Sequence, residues 1–220
     1  MKQWIKIQRI PGVLASAYEK ATRLAVESYY SQVADEIASS FATGAILDLG
    51  TGPGYLPVEI VRRKPEISLI GIDLSRKLIH MAQANAAKAG FSHQIQFKFG
   101  NAAKLGFDDD LFDMVISTGM LHSLKDPVRV LKEIYRVLKN GGQAWIFDPA
   151  KVASDADLLK WKASLTSRER FFLWIFKMLG LHKPVVTYHR NQVIPMLEAA
   201  GFSEYRIEEK NKEIRIKLKK

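Results

Sequence analysis

Three glycines at alternate positions come directly after an apolar run, and this stretch carries the clearest signal for chemistry. Residues 46–49, Ile-Leu-Asp-Leu, are typical of a buried parallel strand, and Gly50, Gly52 and Gly54 follow them. Glycine is required where the backbone adopts positive φ or must approach a ligand closely. Apolar residues then recur at helical spacing. The pattern predicts a strand, a tight turn and a helix whose first N–H groups face a ligand.

The spacing of the glycines and one acid indicates which ligand this is. A dinucleotide-binding loop, GxGxxG, would place its third glycine at Tyr55, whereas here it is Gly54, and Asp48 lies two residues before the first glycine. This arrangement resembles motif I, E/D-x-G-x-G-x-G, of the class I S-adenosylmethionine-dependent methyltransferases. The resemblance implies that Asp48 faces the ammonium group of S-adenosylmethionine, directly or through water. It also implies cofactor contacts at the loop residues Gly50, Thr51, Gly52 and Gly54. A glycine turn of some other nucleotide-binding α/β protein is the alternative.

A second acid is predicted at the tip of the next strand. The pattern of residues 69–73 predicts a strand that ends in Asp73, 23 residues after Gly50. An acid about 20 residues past such a turn binds ribose hydroxyls in these folds. Ser75 is a natural N-cap for a helix that runs through about Ala89 and ends at Gly90. The predicted cofactor contacts at this strand end are Asp73, Leu74 and Ser75, with an ordinary loop acid as the alternative for Asp73.

Two further strand ends are predicted to line the same site. The third strand, residues 95–99, is followed by Asn101, where the family often has an aspartate that binds the adenine amino group. An amide can accept from that amino group or donate to a ring nitrogen. The fourth strand, residues 112–117, leads to His122, and small-molecule methyltransferases often have a histidine at this position. The cofactor contacts predicted here are Asn101, Ala102, Ser117 and Thr118.

A third segment extends the resemblance along the chain. Asp126-Pro127 predicts a helix start with Asp126 as N-cap, and the run V-L-K-E-I-Y-R-V-L-K-N-G-G after it is very close to a recurrent family segment. Residues 139–142 are predicted to turn into a fifth strand at 144–148. The resemblance covers roughly residues 44–150. It implies an α/β fold: a doubly wound, Rossmann-like seven-stranded sheet with its last strand antiparallel and helices on both faces.

Helical segments are predicted on either side of this core. Residues 13–41 follow a helical pattern with a break at 28–31, and in this family such a segment commonly serves as a lid over the cofactor. Tyr18 is therefore a predicted cofactor contact, while Tyr29 and Tyr30 either contact ligand or pack between helices. Residues 188–200 predict a last helix with Gly201 as its C-cap, and residues 205–208 and 214–218 predict a closing β-hairpin.

The expected organisation is one domain over residues 1–220. It comprises a helical lid (1–43), a cofactor-binding core (44–150), a helical insertion (151–187) and the last helix with the hairpin (188–220).

Within the insertion a helix is predicted for 154–164, and residues 168–181 are apolar all round and flanked by basic residues. Such a helix is buried or faces something apolar. A lid over the active site, a dimer surface and a membrane or lipophilic-substrate surface (168–183) are the three alternatives.

The candidates for a general base are His122, Tyr188 and His189, although helix-turn packing explains His122 equally well. A base is needed only when the acceptor must lose a proton early.

The chain has no cysteine, which excludes a covalent thiol adduct. Ser117 stands where metal-dependent enzymes need an acid, and the N/D-P-P-Y/F element of nucleic-acid amino methylation is absent. A small molecule methylated on O, N or C, without a metal, is therefore expected.

Composition and charge limit the remaining possibilities. The chain has 220 residues and a net charge of +10, which favours anionic partners or reflects a solvated basic surface. It lacks an apolar run long enough to span a membrane. A cytoplasmic monomer or homodimer is expected, and nucleic acid is not expected as a partner. The alternatives to the main hypothesis are an interfacial enzyme for lipid- or quinone-like substrates and a non-catalytic protein that binds S-adenosylmethionine.

Overall fold

A computed structural model describes residues 10–149, 155–167, 170–171, 174, 188–210 and 213–220. Its strands form one seven-stranded sheet in the order β3-β2-β1-β4-β5-β7-β6. The strands are β1 (Gly44–Leu49), β2 (Ile67–Asp73), β3 (Ile95–Phe99), β4 (Phe112–Thr118), β5 (Leu138–Pro149), β6 (Glu204–Lys210) and β7 (Glu213–Lys219). Strands β1 to β5 pair in parallel, and β7 is antiparallel to both β5 and β6. The predicted fold class is thus confirmed.

Helices cover both faces of this sheet. They are α1 (Ala15–Ala25), α2 (Ser31–Ser40), α3 (Tyr55–Arg63), α4 (Arg76–Ala89), α5 (Pro127–Val137), α6 (Asp155–Ser164) and α7 (Arg190–Ala200). One buried cluster joins the sheet to α5 and α7, and a second joins its other face to α2, α3 and α4. The alternation of residues between the two faces explains this division: Leu47 and Leu49 face the first cluster, and Ile46 faces the second.

Local capping signals in the sequence predict several helix ends correctly. The hydroxyl of Ser75 accepts the N–H of Leu78, and Asp126 Oδ1 accepts the N–H of Arg129 at 3.0 Å. Gly90 and Gly201 end α4 and α7 in left-handed conformations, with φ of 82° and 102°. Such caps depend on neighbours in sequence, which is why a pattern can predict them.

Three boundaries differ from the predictions. The break at 28–31 is a π-helical turn, Val26–Tyr30, that connects α1 to α2 without interrupting the helix. The last helix begins at Arg190 rather than at Tyr188. The predicted turn at 139–142 lies inside β5, which begins at Leu138 rather than at Ala144. Gly141 has φ of 79°, and the strand bulges between the pairs Phe112–Leu138 and Met114–Gln143. Gly141 donates to the carbonyl of Lys220 and Gly142 accepts the N–H of Lys220, at 2.9 and 3.0 Å.

The insertion is described only in part. Its first helix, α6, occurs where a helix is predicted, and of the apolar segment 168–181 only residues 170, 171 and 174 belong to the described residues. Most of the residues on which the three alternatives for that segment depend therefore lie outside the described residues. Within the described part of the chain, no helix is both long and apolar enough to cross a membrane.

Candidate active site

The sheet order places a crevice at the carboxyl ends of β1 and β4. The chain order reverses between these two strands, because β2 and β3 lie on one side of them and β5 on the other. In open α/β sheets, ligands bind outside the carboxyl ends of the strands at such a point. The ends of β1 to β4 and the loops that follow them carry every predicted cofactor contact except Tyr18.

The glycine loop after β1 is a tight turn fixed to the neighbouring strand. Gly50, Gly52 and Gly54 have φ of 74°, 56° and 78°, values that residues with a Cβ rarely adopt. The N–H groups of Gly50 and Thr51 both donate to the carbonyl oxygen of Ile72, at 2.9 and 3.0 Å. The predicted strand, turn and helix are therefore confirmed, and the loop has one well-defined shape.

Asp48 is buried at the end of β1, next to this loop. Among the described residues, its Oδ1 has no hydrogen-bond partner, and neither does the buried hydroxyl of Thr51. Burial raises the pKa of Asp48 to about 7, the neighbouring hydroxyl of Thr51 opposes this increase, and the negative charge of Asp73 adds to it. Because buried polar atoms in folded proteins are normally hydrogen-bonded, an unpartnered carboxylate oxygen here is suited to a donor on a ligand.

Asp73 connects the glycine loop to the start of α4. Its Oδ2 accepts the N–H of Gly52 at 3.1 Å, and its Oδ1 accepts the N–H of Ser75 at 2.7 Å. Burial raises the pKa of Asp73, and the two backbone donors oppose that increase. Since each carboxylate oxygen has a further acceptor position, Asp73 remains able to accept from the hydroxyls of a ribose.

Two of the predicted contact residues use their hydroxyls within the fold. Ser75 Oγ accepts the N–H of Leu78 at 3.4 Å, and Ser117 Oγ donates to the carbonyl of Leu49 at 3.1 Å. Ser117 thereby joins the ends of β4 and β1 below the crevice. Leu74 and Thr118 beside them are partly exposed. Cofactor contact by these residues stays a prediction.

Asn101 lies in an exposed turn after β3, with Ala102 buried beside it. Its Oδ1 accepts the N–H of Ala103 at 2.9 Å, and the turn closes in a short bridge between Asn101 and Lys104. Since an amide oxygen has two acceptor positions, both roles that the sequence leaves open for this amide, accepting through Oδ1 and donating through Nδ2, stay predictions.

Tyr18 of α1 covers the glycine loop. Its ring atom Cε1 and its hydroxyl lie 3.5 and 3.8 Å from the position that a Cβ would take on Gly52. Burial raises its pKa to about 12, and the charges of Asp73 and Asp48 add to this. The helix is held in turn by α6, because Trp161 Nε1 donates to the carbonyl of Ala17 at 2.8 Å. Helix α1 therefore lies over the loop, where a lid would lie.

Tyr29 and Tyr30 pack in the interior. Both are buried, and their rings meet edge to face at 5.5 Å. The hydroxyl of Tyr29 donates to Glu213 Oε1 at 3.3 Å. Their burial supports the packing interpretation of these two tyrosines. Burial raises the pKa of both, and the charge of Asp48 adds to the increase for Tyr30 and that of Asp148 to the increase for Tyr29, so both rings lie near acids of the crevice.

The three candidate bases are not brought together. Tyr188 packs partly buried against the cluster below α5 and α7. His189 is exposed at the start of α7, with its Nδ1 3.8 Å from Glu209 of β6. Because β6 lies three strands away from β4, about 14 Å at ordinary strand spacing, His189 lies far from the crevice. His122, in a short 3₁₀ helix (Leu121–Ser123) after β4, is the candidate at the crevice itself.

The structure adds one residue that the sequence analysis did not select. Asp148 lies at the carboxyl end of β5 and is 0% exposed. Its Oδ2 accepts the N–H of His122 at 3.1 Å, and its Oδ1 lies 2.9 Å from Nδ1 of the same histidine. The sequence feature that could have identified Asp148 is its position as an acid at the carboxyl end of a predicted strand, which it shares with Asp48 and Asp73.

Comparison with known proteins agrees with this architecture. A family model for a methyltransferase domain matches residues 41–201. This chain belongs to that methyltransferase-domain family. The methyltransferase domain is 29% identical to the ubiquinone/menaquinone biosynthesis C-methyltransferase of Geotalea daltonii over 147 residues, which are 65% of this chain and 63% of the relative. It is 28% identical to the demethylmenaquinone methyltransferase of Lactobacillus johnsonii over 159 residues, 72% of this chain and 64% of the relative.

The methyltransferase domain thus spans under two thirds of the length of these curated relatives. A solved structure of an S-adenosylmethionine-dependent methyltransferase from Aquifex aeolicus has the same fold, with a TM-score of 0.67 at 19% identity over 96% of this chain and 99% of that one. The range that the family model matches contains β1 to β5, His122 and Asp148, while Tyr18 precedes it. The cover of the glycine loop is therefore formed by a part of the chain outside the matched range.

Proposed function

We propose that this methyltransferase domain binds S-adenosylmethionine at the crevice between β1 and β4 and transfers its methyl group to a small-molecule acceptor. The observation that carries the proposal is Asp48, a buried acid with an unpartnered oxygen beside a glycine loop. Asp48 suits the ammonium group of the cofactor, Asp73 suits its ribose hydroxyls, and Asn101 suits its adenine. The residues present therefore fit this cofactor.

The cofactor supplies a methyl group that its positively charged sulfur already activates. The task of the chain is to align the acceptor with that group and to exclude water. Orientation of this kind can supply roughly 7–11 kcal/mol of barrier reduction. Asp48 and Asp73 also create a negative potential at the crevice, which favours a cationic cofactor, and Tyr18 covers the loop from the side of α1.

A lipophilic, quinone-like acceptor is the second candidate. One curated relative is named for ubiquinone and menaquinone biosynthesis, and another is named a demethylmenaquinone methyltransferase. In the insertion, the side chains of Phe171 and Trp174 are 56% and 58% exposed, and their rings stack at a centroid distance of 6.2 Å. An exposed aromatic pair next to basic residues is suited to contact with an apolar substrate or an anionic lipid surface.

Titration calorimetry with S-adenosylhomocysteine, the expected product, tests the proposal directly. We expect saturable binding at micromolar concentration, followed by turnover of S-adenosylmethionine when an acceptor from a metabolite library is added. Binding without turnover on any acceptor would favour the non-catalytic alternative. If neither S-adenosylhomocysteine nor S-adenosylmethionine binds at millimolar concentration, the proposal is wrong.

A further inference from the structure

Asp148 holds His122 at two points. One carboxylate oxygen accepts the backbone N–H of the histidine at 3.1 Å, and the other lies 2.9 Å from ring atom Nδ1. The first contact fixes the 3₁₀ turn, and the second fixes the rotation of the ring within it. An acid that served only to hold the turn would need just the first contact.

The ring contact determines which nitrogen carries the proton. An ionised carboxylate can only accept hydrogen bonds, so Nδ1 must be the protonated nitrogen of a neutral His122 and Nε2 must carry the lone pair. Among the described residues, Nε2 has no hydrogen-bond partner. The side chain of His122 is 23% exposed, whereas that of Asp148 is 0% exposed, so the ring has an accessible side while the acid behind it is fully enclosed.

The pair lies on the opposite side of the crevice from Asp48. The N–H of Gly119 donates to the carbonyl of Phe147 at 2.8 Å, which joins the loop after β4 to the end of β5. The side chain of Met120 lies against the glycine loop, with its sulfur 3.0 Å from the position of a Cβ on Gly50. The 3₁₀ turn that carries His122 therefore begins beside the loop that is proposed to bind the methyl donor.

We propose that Asp148 is a positioning residue that directs Nε2 of His122 toward the acceptor, and that Nε2 takes the proton of an acceptor hydroxyl on a phenol or enol. This inference rests on the proposed function. A neutral hydroxyl is a weak nucleophile until its proton leaves, which is the case in which a base accelerates transfer. An amine attacks through its lone pair and can lose its proton afterwards.

The step balances without a further reactant. The hydroxyl proton passes to Nε2, the acceptor forms a bond to the methyl carbon, and the carbon–sulfur bond breaks with its electron pair going to sulfur. The products are the methylated acceptor, S-adenosylhomocysteine and a protonated His122. The carboxylate of Asp148 lies next to the positive charge that this leaves on the imidazole, as in other histidine–aspartate pairs.

Long-range proton–nitrogen NMR spectra of the protein labelled with nitrogen-15 histidine test the positioning role without any acceptor. His122 is one of five histidines, and its signals are those missing from His122→Gln. We expect a proton on Nδ1 and an unprotonated Nε2 in the wild-type protein saturated with S-adenosylhomocysteine at neutral pH. Asp148→Asn is expected to shift His122 toward the other tautomer. A wild-type ring with its proton on Nε2 overturns the proposal, even if Asp148→Asn fails to fold.

Absorbance of 4-nitrophenol tests the acceptor class. At a pH where the free probe is mainly protonated, we expect the wild-type protein with S-adenosylhomocysteine to increase the phenolate band saturably. The increase should fall at least tenfold in His122→Gln, while His80→Gln, an exposed histidine on α4, should match the wild type. A spectrum that does not depend on His122 overturns the assignment. Calorimetric binding of S-adenosylhomocysteine by the same samples separates this failure from a failure of the proposed function.

Discussion

The carboxylate of Asp73 accepts the backbone N–H of Gly52 at 3.1 Å, so the tip of β2 and the turn after β1 form one hydrogen-bonded unit. The other oxygen of the same carboxylate accepts the N–H of Ser75. Two loops that are separated in the chain are thereby fixed relative to each other. A site fixed in this way loses less conformational freedom when a ligand binds.

Replacing Asp73 by asparagine should weaken cofactor binding. The change removes the negative charge of the side chain. It also replaces one carboxylate oxygen by an amide NH2 group, a donor, which would then face the backbone N–H of Gly52 or Ser75. We expect the affinity for S-adenosylhomocysteine to fall roughly 10–100-fold, as for the loss of a hydrogen bond to a charged group, measured by calorimetry. Asp108→Asn is the matched control, because that acid is exposed. Equal affinities for the two variants would remove the ribose role of Asp73.

Asp48 should make the stability of the ligand-free protein depend on pH. Burial raises its pKa to about 7, so the ionised form destabilises the fold. The destabilisation is absent below the pKa of the unfolded chain, near 4, grows as pH rises, and is complete above about pH 7. The free energy of unfolding of Asp48→Asn relative to wild type should therefore increase by roughly 2–4 kcal/mol between pH 4 and pH 8. Urea unfolding at both pH values measures this.

The same acid should make cofactor affinity depend on pH in the opposite sense. An ionised Asp48 pairs with the ammonium group, so the wild-type protein should bind S-adenosylhomocysteine more tightly at pH 8 than at pH 6. Asp48→Asn should bind more weakly at pH 8 and lose most of this dependence. A variant whose affinity follows pH as the wild type does would contradict the assignment of Asp48 to the ammonium group.

Gly54 and Gly90 should differ in their tolerance of alanine. Both have positive φ, 78° and 82°, so each substitution adds roughly 1–2 kcal/mol of backbone strain. At Gly54 the new Cβ would also lie 2.7 Å from the ring of Phe97 and 2.9 Å from Ala82, whereas at Gly90 nothing lies within 4 Å. We expect Gly54→Ala to destabilise the protein by roughly 1–3 kcal/mol more than Gly90→Ala. Urea unfolding distinguishes them, and equal losses would mean that the loop moves away from β3.

The exposed aromatic pair provides a test of the lipophilic alternative. If Phe171 and Trp174 contact an apolar substrate or lipid surface, phosphatidylglycerol vesicles should bind the wild-type protein at low salt, and changing both residues to glutamine should weaken binding at least tenfold. Leu159→Gln is the control, because Leu159 is 68% exposed on α6. Co-sedimentation measures the bound fraction. If wild-type protein does not bind the vesicles, a membrane role for this segment loses its basis.

Much of the fold and the glycine-loop side of the candidate site can be predicted from the sequence, because the sequence patterns that indicate them are local. The glycine spacing, the acid at position 73 and the cap at Ser75 each depend on residues within one turn or one strand end. The strand order follows only from the resemblance to a known family. The glycines at 141 and 142 predict the turn, whereas its place inside β5 depends on the hydrogen bond from Gly141 to Lys220, a residue that no local pattern connects to Gly141.

The sequence by itself determined the class of the fold and the acids and glycines that are proposed to face a methyl donor, since strand periodicity and turn chemistry depend on neighbouring residues. Only the tertiary structure decided which side chains meet across the crevice. Tyr18 lies over Gly52, and Asp148 lies behind His122, because β4 and β5 pair side by side and α1 folds back over the loop. These contacts join residues about 26–34 positions apart. Their geometry depends on sheet order and helix packing, which no short stretch of sequence specifies.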